Sequence, residues 1–577
     1  MSVKKKEVVR HLETIAIYME LKGENSFKIA AYRKAAAALA ENDEQLENIT
    51  DFMTISGIGK GTSAVIDEFM KEGSTSILNE LKEDVPQGLI PLLQLPGLGG
   101  KKIAKLYKEL KINNATDLKE ACRKKEVQKL AGFGEKTEEK LFSALENIGT
   151  RPERLPIAYM LPIAEKIESE LADIVEIKKF SRAGSMRRTR ETIKDLDFII
   201  ATENLAAVKA KLLKMAGIKE VIAAGDTKVS LVLEEKYDVS VDFRLVKPQE
   251  YATTLHHFTG SKEHNVRMRQ LAKERGEKIS EYGVENNETN TITTFETEEE
   301  FYAYFDLPFI PPEIREDGKE VEAYTVESNL LSLADIKGDL HMHTTWSDGA
   351  FSIEEMVEAA RTKGYTYIAI TDHSQFLKVA NGLTPERLRK QQQEIKRLNE
   401  KFTDITILSG VEMDILPDGT LDYEDEMLAE LDIVIASIHS AFSQPKEKIM
   451  ERLARAMQNP YVNIIAHPTG RMIGRREGYE VDIQMLIKLA KETNTALELN
   501  ANPNRLDLSA QSIRLAQDAG VKIAINTDAH KIKTLDHMSL GVATARKGWI
   551  RKETVLNAMK RDELLQFFHN KRIGLTK

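Results

Sequence analysis

The chain has 577 residues, more than one hydrophobic core organises, so several domains are expected. Hydrophobic residues make up 42% and charged residues 30%, the balance of a water-soluble globular protein, and no apolar run approaches the roughly 18 residues of a membrane span. A formal net charge of −9 excludes a uniformly basic surface, so any contact with nucleic acid must come from local features.

The N-terminus, "MSVKKKEVVRHLETIAIYMELKG", is charged, has helical periodicity and lacks a signal peptide's apolar core. With Cys122 as the single cysteine, no internal disulfide forms, and a reducing, cytoplasmic setting is expected. From residue 1 to about 150, apolar residues recur at helical spacing between glycine breaks, which predicts an all-α region. It is read as two domains, 1–82 and 83–150. Three segments, "SGIGKGTSAVIDEF", "LPGLGGKKIAKLY" and "AGFGEKTEEKLFSAL", each enter a helix through a glycine–apolar–glycine turn. Such glycines let a backbone approach a phosphate, and free N–H groups of the following helix donate to it without reading bases. Gly57, Gly59, Lys60, Gly97 and Gly99 are therefore the candidate DNA contacts. These segments resemble the helix–hairpin–helix motifs of DNA repair proteins. From Lys101 to Lys129 there are ten Lys/Arg against four Asp/Glu, a local basic stretch.

From 151 to 245 the pattern changes to helices mixed with strands, then 246–318 continues mixed. "FDLPFIPPEIREDG" is expected to be extended and to cross the surface, and 319–332 to be a linker. In "AGSMRRTRETIKDLDFII", Asp195 and Asp197 share a strand face two residues apart. A third acid must come from a neighbouring strand. Asp242, inside the apolar run of "YDVSVDFRLV", is preferred over Asp238, Glu234 and Glu235. Three carboxylates suit two divalent ions, Mg²⁺ or Mn²⁺, for nucleotidyl transfer. Gly184 and Ser185 offer donors to phosphates, with Arg188 as a charge clamp.

Residues 1–318 resemble the family X DNA polymerases of the nucleotidyltransferase superfamily, through "AYRKAAAALAE", the hairpins, "AGSMRRTRETIKDLDF", "VDFRL" and "HFTGSKEHNVRMRQLAKERG". The resemblance implies a palm at 151–245 and a thumb at 246–318. It implies that His257, Phe258 and Gly260 line the incoming nucleotide, that Asn265 meets its base, and that Arg269 faces the template side. Two positions depart from the family. His257 replaces the usual tyrosine near the sugar, and Val65 stands where the repair members place a Schiff-base lysine, so lyase chemistry is not expected there.

After about residue 333, short apolar strands alternate with helices to the end, the pattern of an α/β barrel. "GDLHMHTTWSDG" supplies His341, His343 and Asp348; later strand ends supply Asp372 with His373, Glu412, His439, His467, and Asp528 with His530. Six of the twelve histidines thus fall where strand ends of such barrels converge. Mixed imidazole and carboxylate donors suit Mn²⁺, Zn²⁺ or Fe. The set resembles the PHP (polymerase and histidinol phosphatase) family, which implies a distorted seven-stranded barrel and a cluster of up to three ions. By that resemblance the ligands are His341, His343, Asp348, His373, Glu412, His439, His467, Asp528 and His530, with Asp372 orienting a ligand from behind. Arg471, Arg475 and Arg476 are read either as phosphate contacts or as a solvated loop.

Together the halves resemble bacterial family X polymerases with a C-terminal PHP domain at 333–577. The expected protein fills gaps in primed DNA from dNTPs, removes 3′ nucleotides with Mn²⁺, and acts as a cytoplasmic monomer at the nucleoid during base excision repair. Cleavage at abasic sites and removal of 3′ blocks are further expectations. The rivals are a PHP domain that serves as a metal scaffold or a small-molecule phosphatase, and a template-independent transferase in the palm.

Overall fold

The structure is a computed structural model that describes residues 5–41, 46, 49, 51–95, 98–146 and 152–574. It forms two compact units, Met1–Pro152 and Glu153–Lys577. No helix among the described residues is long and apolar enough to cross a membrane.

In the first unit, helices Lys5–Lys22, Ser26–Glu41, Lys60–Glu72, Gly100–Leu110, Ala115–Arg123 and Glu135–Glu146 bury one apolar stripe each in a common core. Leu12, Leu39, Ile66, Ile103, Leu118 and Leu141 lie at its centre. Each glycine turn leads straight into a helix: Gly59 and Gly99 cap Lys60–Glu72 and Gly100–Leu110, and Gly134 precedes Glu135–Glu146. Gly57 has φ +112°, and a Cβ there would meet Ala38 Cβ at 3.1 Å, so glycine is required twice over.

The second unit holds a five-stranded sheet, a helix-and-sheet stretch after it and a seven-stranded barrel. The five-stranded sheet, in the stretch expected to be the palm, has the order Lys179–Arg182, Leu196–Ala201, Val239–Val246, Lys228–Leu233, Ile218–Ala224. Leu196–Ala201 and Val239–Val246 run parallel with Asp197 paired directly to Asp242. The thumb follows with helices Tyr251–Thr259 and Lys262–Glu274 and a three-stranded antiparallel sheet from Glu277 to Thr293. The barrel comprises seven parallel strands in sequence order: Gly338–Asp339, Tyr367–Ile370, Thr406–Asp414, Ile433–Ser437, Ile464–Ile465, Ala496–Asn500 and Ile523–Asn526. A parallel bridge between Met342 and Ala529 joins the last strand to the first. Alternate strand residues face opposite ways. Tyr367, Ala369, Leu408 and Ile435 fill the interior with Phe568 of the C-terminal helix, while Ile368, Ile370 and Val434 pack outward under the helices.

One expectation fails here, for the proline-rich segment. Residues 319–332, the expected linker, are packed, with Val321 buried in the thumb core and Leu331 in the barrel core. The proline-rich segment before it does not merely cross the surface. Ile310 and Ile314 are buried, and Arg315 is fully enclosed, its charge matched by Glu298 at 2.8 Å. The alternation of apolar residues needed to see this is broken by the prolines.

Candidate active sites

In the palm, the paired register sets Asp197 beside Asp242, and Asp195 sits just ahead of the strand. Burial, then the charges of Asp195 and Asp242, push Asp197 up to about 7, with Lys228 and Arg188 opposing. A carboxylate so raised is short of neighbouring positive charge. Lys228 supplies some, pairing with Asp242 at 2.6 Å, whereas Asp238 pairs away with Lys219. The all-oxygen donor set fits Mg²⁺ or Mn²⁺. Gly184, at φ +56°, lies so close that a Cβ would meet Asp197 Oδ2 at 2.3 Å. It opens the short helix Gly184–Arg187 that carries Ser185, and Arg188 follows, donating to Thr259 O.

Along the thumb wall, His257 and Phe258 end the helix Tyr251–Thr259, and Gly260 turns the chain at φ +69°. Asn265 Nδ2 donates to His257 O at 2.7 Å, leaving Asn265 Oδ1 buried without a partner. Arg269 Nε donates to Asn265 O at 3.2 Å. Burial lowers the pKa of His257 and Arg269 and Arg244 add to the effect against Glu281, so its ring is neutral at pH 7. The Arg244 guanidinium lies 4.6 Å from the Phe258 ring centre.

The barrel gathers its predicted residues more tightly. Three groups have ligand atoms within 4.8 Å of one another: His343, Asp348, His373 and His530; His341, His343 and Asp528; His373, Glu412 and His439. Among the described residues no such group occurs elsewhere, the palm included. Glu412 is the hub, with His373 Nδ1 at 2.9 Å, His439 Nε2 at 3.2 Å and His467 Nε2 at 3.0 Å. His343 Nε2 lies 3.1 Å from Asp528 Oδ1 and 3.2 Å from His341 Nε2. Burial, helped by the charges of His373 and His530, drives His343 down to about 3. Burial also opposes charge on His439, but Glu412 and Asp414 outweigh it and push it up to about 10. His343 Nδ1 and His467 Nδ1 are buried with no hydrogen-bond partner. Orphaned imidazole nitrogens beside facing carboxylates fit a cluster of cations better than a packed core.

Residues behind these were missed by sequence reasoning. Glu498 takes His341 Nδ1 at 2.7 Å and the His467 backbone N–H at 2.7 Å. Asp414 stands 3.3 Å from His439 Nδ1. Their signal was an acid inside an apolar strand, "ALELN" and "VEMDI". Asp372 reaches no ligand imidazole; it accepts from Thr344 N, Ser347 N and Gln391 Nε2, which fixes the turn that carries Asp348. Of the three loop arginines, Arg471 is tied to Glu191 at 2.7 Å and to Leu506 O, and Arg476 to Gly470 O, which leaves Arg475 exposed.

In the first unit, Gly59 and Gly99 have open space where a Cβ would stand, and Lys60 is exposed at its helix start. Gly97 lies outside the described residues. Val65 is buried in the helical core, so no amine serves at that position.

Comparison with known proteins gives four family matches: a helix-hairpin-helix domain at 3–75, a SAM-like helix-hairpin-helix tandem at 89–147, a DNA polymerase beta thumb at 254–316 and a PHP domain at 339–502. A Bacillus subtilis (strain 168) protein described as DNA polymerase/3′-5′ exonuclease PolX is 63% identical over 554 residues, 96% of this chain and 97% of that one. A probable phosphatase of Thermoanaerobacter sp. (strain X514) is 33% identical over 233 residues, 38% of this chain and 89% of its own. Another, from Caldanaerobacter subterraneus subsp. tengcongensis, is 32% identical over 247 residues, 41% of this chain and 91% of its own.

Proposed function

Because this chain belongs to the PolX family, in which a DNA polymerase carries a PHP domain, we propose that it fills short gaps in DNA from dNTPs and removes 3′ nucleotides in its barrel. The observation that carries this reading is the presence of two separate acid-rich centres in one chain. One is the Asp197–Asp242 pair under the Gly184 turn, and the other is the imidazole and carboxylate cluster at the barrel strand ends.

Asp195, Asp197 and Asp242 would hold two Mg²⁺ or Mn²⁺ ions, and the nine barrel ligands up to three ions of Mn²⁺, Zn²⁺ or Fe. Bound ions would supply the charge that ionises a 3′-hydroxyl or a water and neutralises the departing phosphate. The chain's own groups do the positioning. The backbone at Gly184 allows a phosphate to come close, Ser185 donates to it, and Arg188 offsets its charge. His257 and Phe258 border the sugar, Asn265 meets the base edge, and Arg269 faces the template. Gly57, Gly59, Lys60 and Gly99 hold the DNA backbone without reading sequence. In the barrel, Glu498 fixes the ring of His341 so that its Nε2 faces the cluster. Gapped or primed DNA is the partner, in base excision repair, with the protein acting as a cytoplasmic monomer at the nucleoid. Cleavage at abasic sites and removal of 3′ blocks use the same barrel chemistry.

The test is release of nucleotides from a 3′-labelled primer with Mn²⁺ and no dNTP, beside extension of a gapped template. His341→Ala should lose release and keep extension, and Asp195→Ala should do the reverse. Release that survives His341→Ala overturns the nuclease reading, and extension that survives Asp195→Ala overturns the palm assignment. The likeness of the barrel to probable phosphatases favours one second reading, hydrolysis of small phosphate monoesters. A monoester rate far above the rate on DNA would establish it instead.

A further inference from the structure

Helix Met538–Lys547 belongs to the barrel but serves two neighbours. Met538, Val542 and Ala545 are buried in the barrel core, while Leu540 packs against the palm core. Lys547 lies two helical turns beyond Leu540 and therefore on the same face. Its side chain is only 16% exposed and ends where palm and thumb meet. There Lys547 Nζ donates to Arg188 O at 3.3 Å and pairs with Glu316 Oε1. Glu316 Oε2 takes Arg190 Nη1 at 2.6 Å, and Arg188 Nε stands 4.0 Å from Oε1 of the same carboxylate.

Three cations thus converge on one carboxylate. Glu263 adds a weaker attraction for Arg188, while Arg190 and Arg154 repel it. Arg188 Nε is buried without a hydrogen-bond partner. A half-buried cluster with surplus positive charge and an unanswered donor attracts an anion. The anion with reason to arrive is the triphosphate of the incoming nucleotide, since Arg188 ends the Gly184–Arg187 turn that lies over Asp197.

The geometry points to Lys547 as a positioning residue of the polymerase's triphosphate site, contributed by the barrel. It holds the Arg188 carbonyl from behind and adds charge to the cradle. The barrel is then a working part of the polymerising centre as well as a second catalytic module. This rests on the polymerase reading given above.

Steady-state gap filling by the full-length chain tests it, with inorganic triphosphate as a competing probe. Lys547→Met keeps most of the apolar stem and removes the charge and the donors. The KM for dNTP should rise about tenfold with kcat within about twofold, the order of one charge-assisted hydrogen bond. Weakening of inhibition by triphosphate should match it. Lys547→Gln, which retains a donor without charge, should also raise KM and serves if the methionine variant does not fold. Leu540→Ala loosens the same helix face without touching charge and should leave KM and triphosphate inhibition at wild-type values. Wild-type KM and inhibition in a folded Lys547 variant overturn the proposal, as does an equal rise in Leu540→Ala. Failure of the wild type to extend any gapped template would remove the polymerase reading and this proposal with it. Normal extension with an unmoved KM in Lys547→Met removes this proposal alone.

Discussion

Replacing Glu498 by glutamine changes two atoms' chemistry and almost no volume, yet it should disable the barrel. The carboxylate is fully buried and meets only donors. Its Oε1 faces His341 Nδ1 at 2.7 Å and Asn526 Nδ2 at 3.0 Å. Its Oε2 faces the His467 backbone N–H at 2.7 Å and Asn500 Nδ2 at 3.4 Å. Whichever way the amide turns, its NH₂ confronts two donors and leaves them unanswered. An unsatisfied buried donor costs about 1–3 kcal/mol, so two of them lower stability by roughly 2–6 kcal/mol. Loss of the carboxylate behind His341 also frees its ring and lowers its basicity, which typically weakens metal binding about 10–100-fold. Titration with Mn²⁺, followed by calorimetry or by the signal of the free ion, measures the affinity directly. Release from a 3′-labelled primer should fall in step, while gap extension in the palm stays at the wild-type rate. Wild-type Mn²⁺ affinity in Glu498→Gln would refute the assignment of Glu498 as the group that orients His341.

Gly184→Ala places a Cβ 2.3 Å from Asp197 Oδ2 at φ +56°, so gap extension should drop on the order of 100-fold while primer degradation persists. Equal extension rates would show that the turn does not crowd the carboxylate. Lys571 is buried against Met457 O, Val462 O and Thr495 Oγ1, and burial pulls its pKa from 10.5 down to about 7. Between those values the unfolded chain holds a proton that the folded one lacks, so stability should rise with pH across the window and flatten below it. At about 1.4 kcal/mol per pH unit the full rise is at most about 5 kcal/mol. Lys571→Met should lack this rise, and parallel melting curves for the two proteins from neutral to alkaline pH would refute it.

Much of both centres could be read from local pattern. Asp195 stands just ahead of the strand that holds Asp197 and acts on it through its charge, and His341 and His343, just past the end of another strand, have 3.2 Å between ring nitrogens. The glycine turns announced their helices for the same reason: φ +112° at Gly57 is a backbone demand that a single residue type answers. Where sequence reading fell short, the missing partner lay far along the chain. Arg471 looked free for a phosphate because nothing near it hinted at Glu191, 280 residues away. Arg315 looked like surface because its counter-charge, Glu298, comes from a helix of the thumb.

The sequence by itself determined the kinds of donor present, their strand and helix periods, and hence the two chemistries. Tertiary structure alone decided which charges answer them, as with Glu498 behind His341 at a separation of 157 residues and Lys547 behind Arg188 at 359. The physical reason is that backbone periodicity carries information over only a few residues, whereas burial penalises an unanswered charge, and the group that answers it comes from wherever the fold brings one.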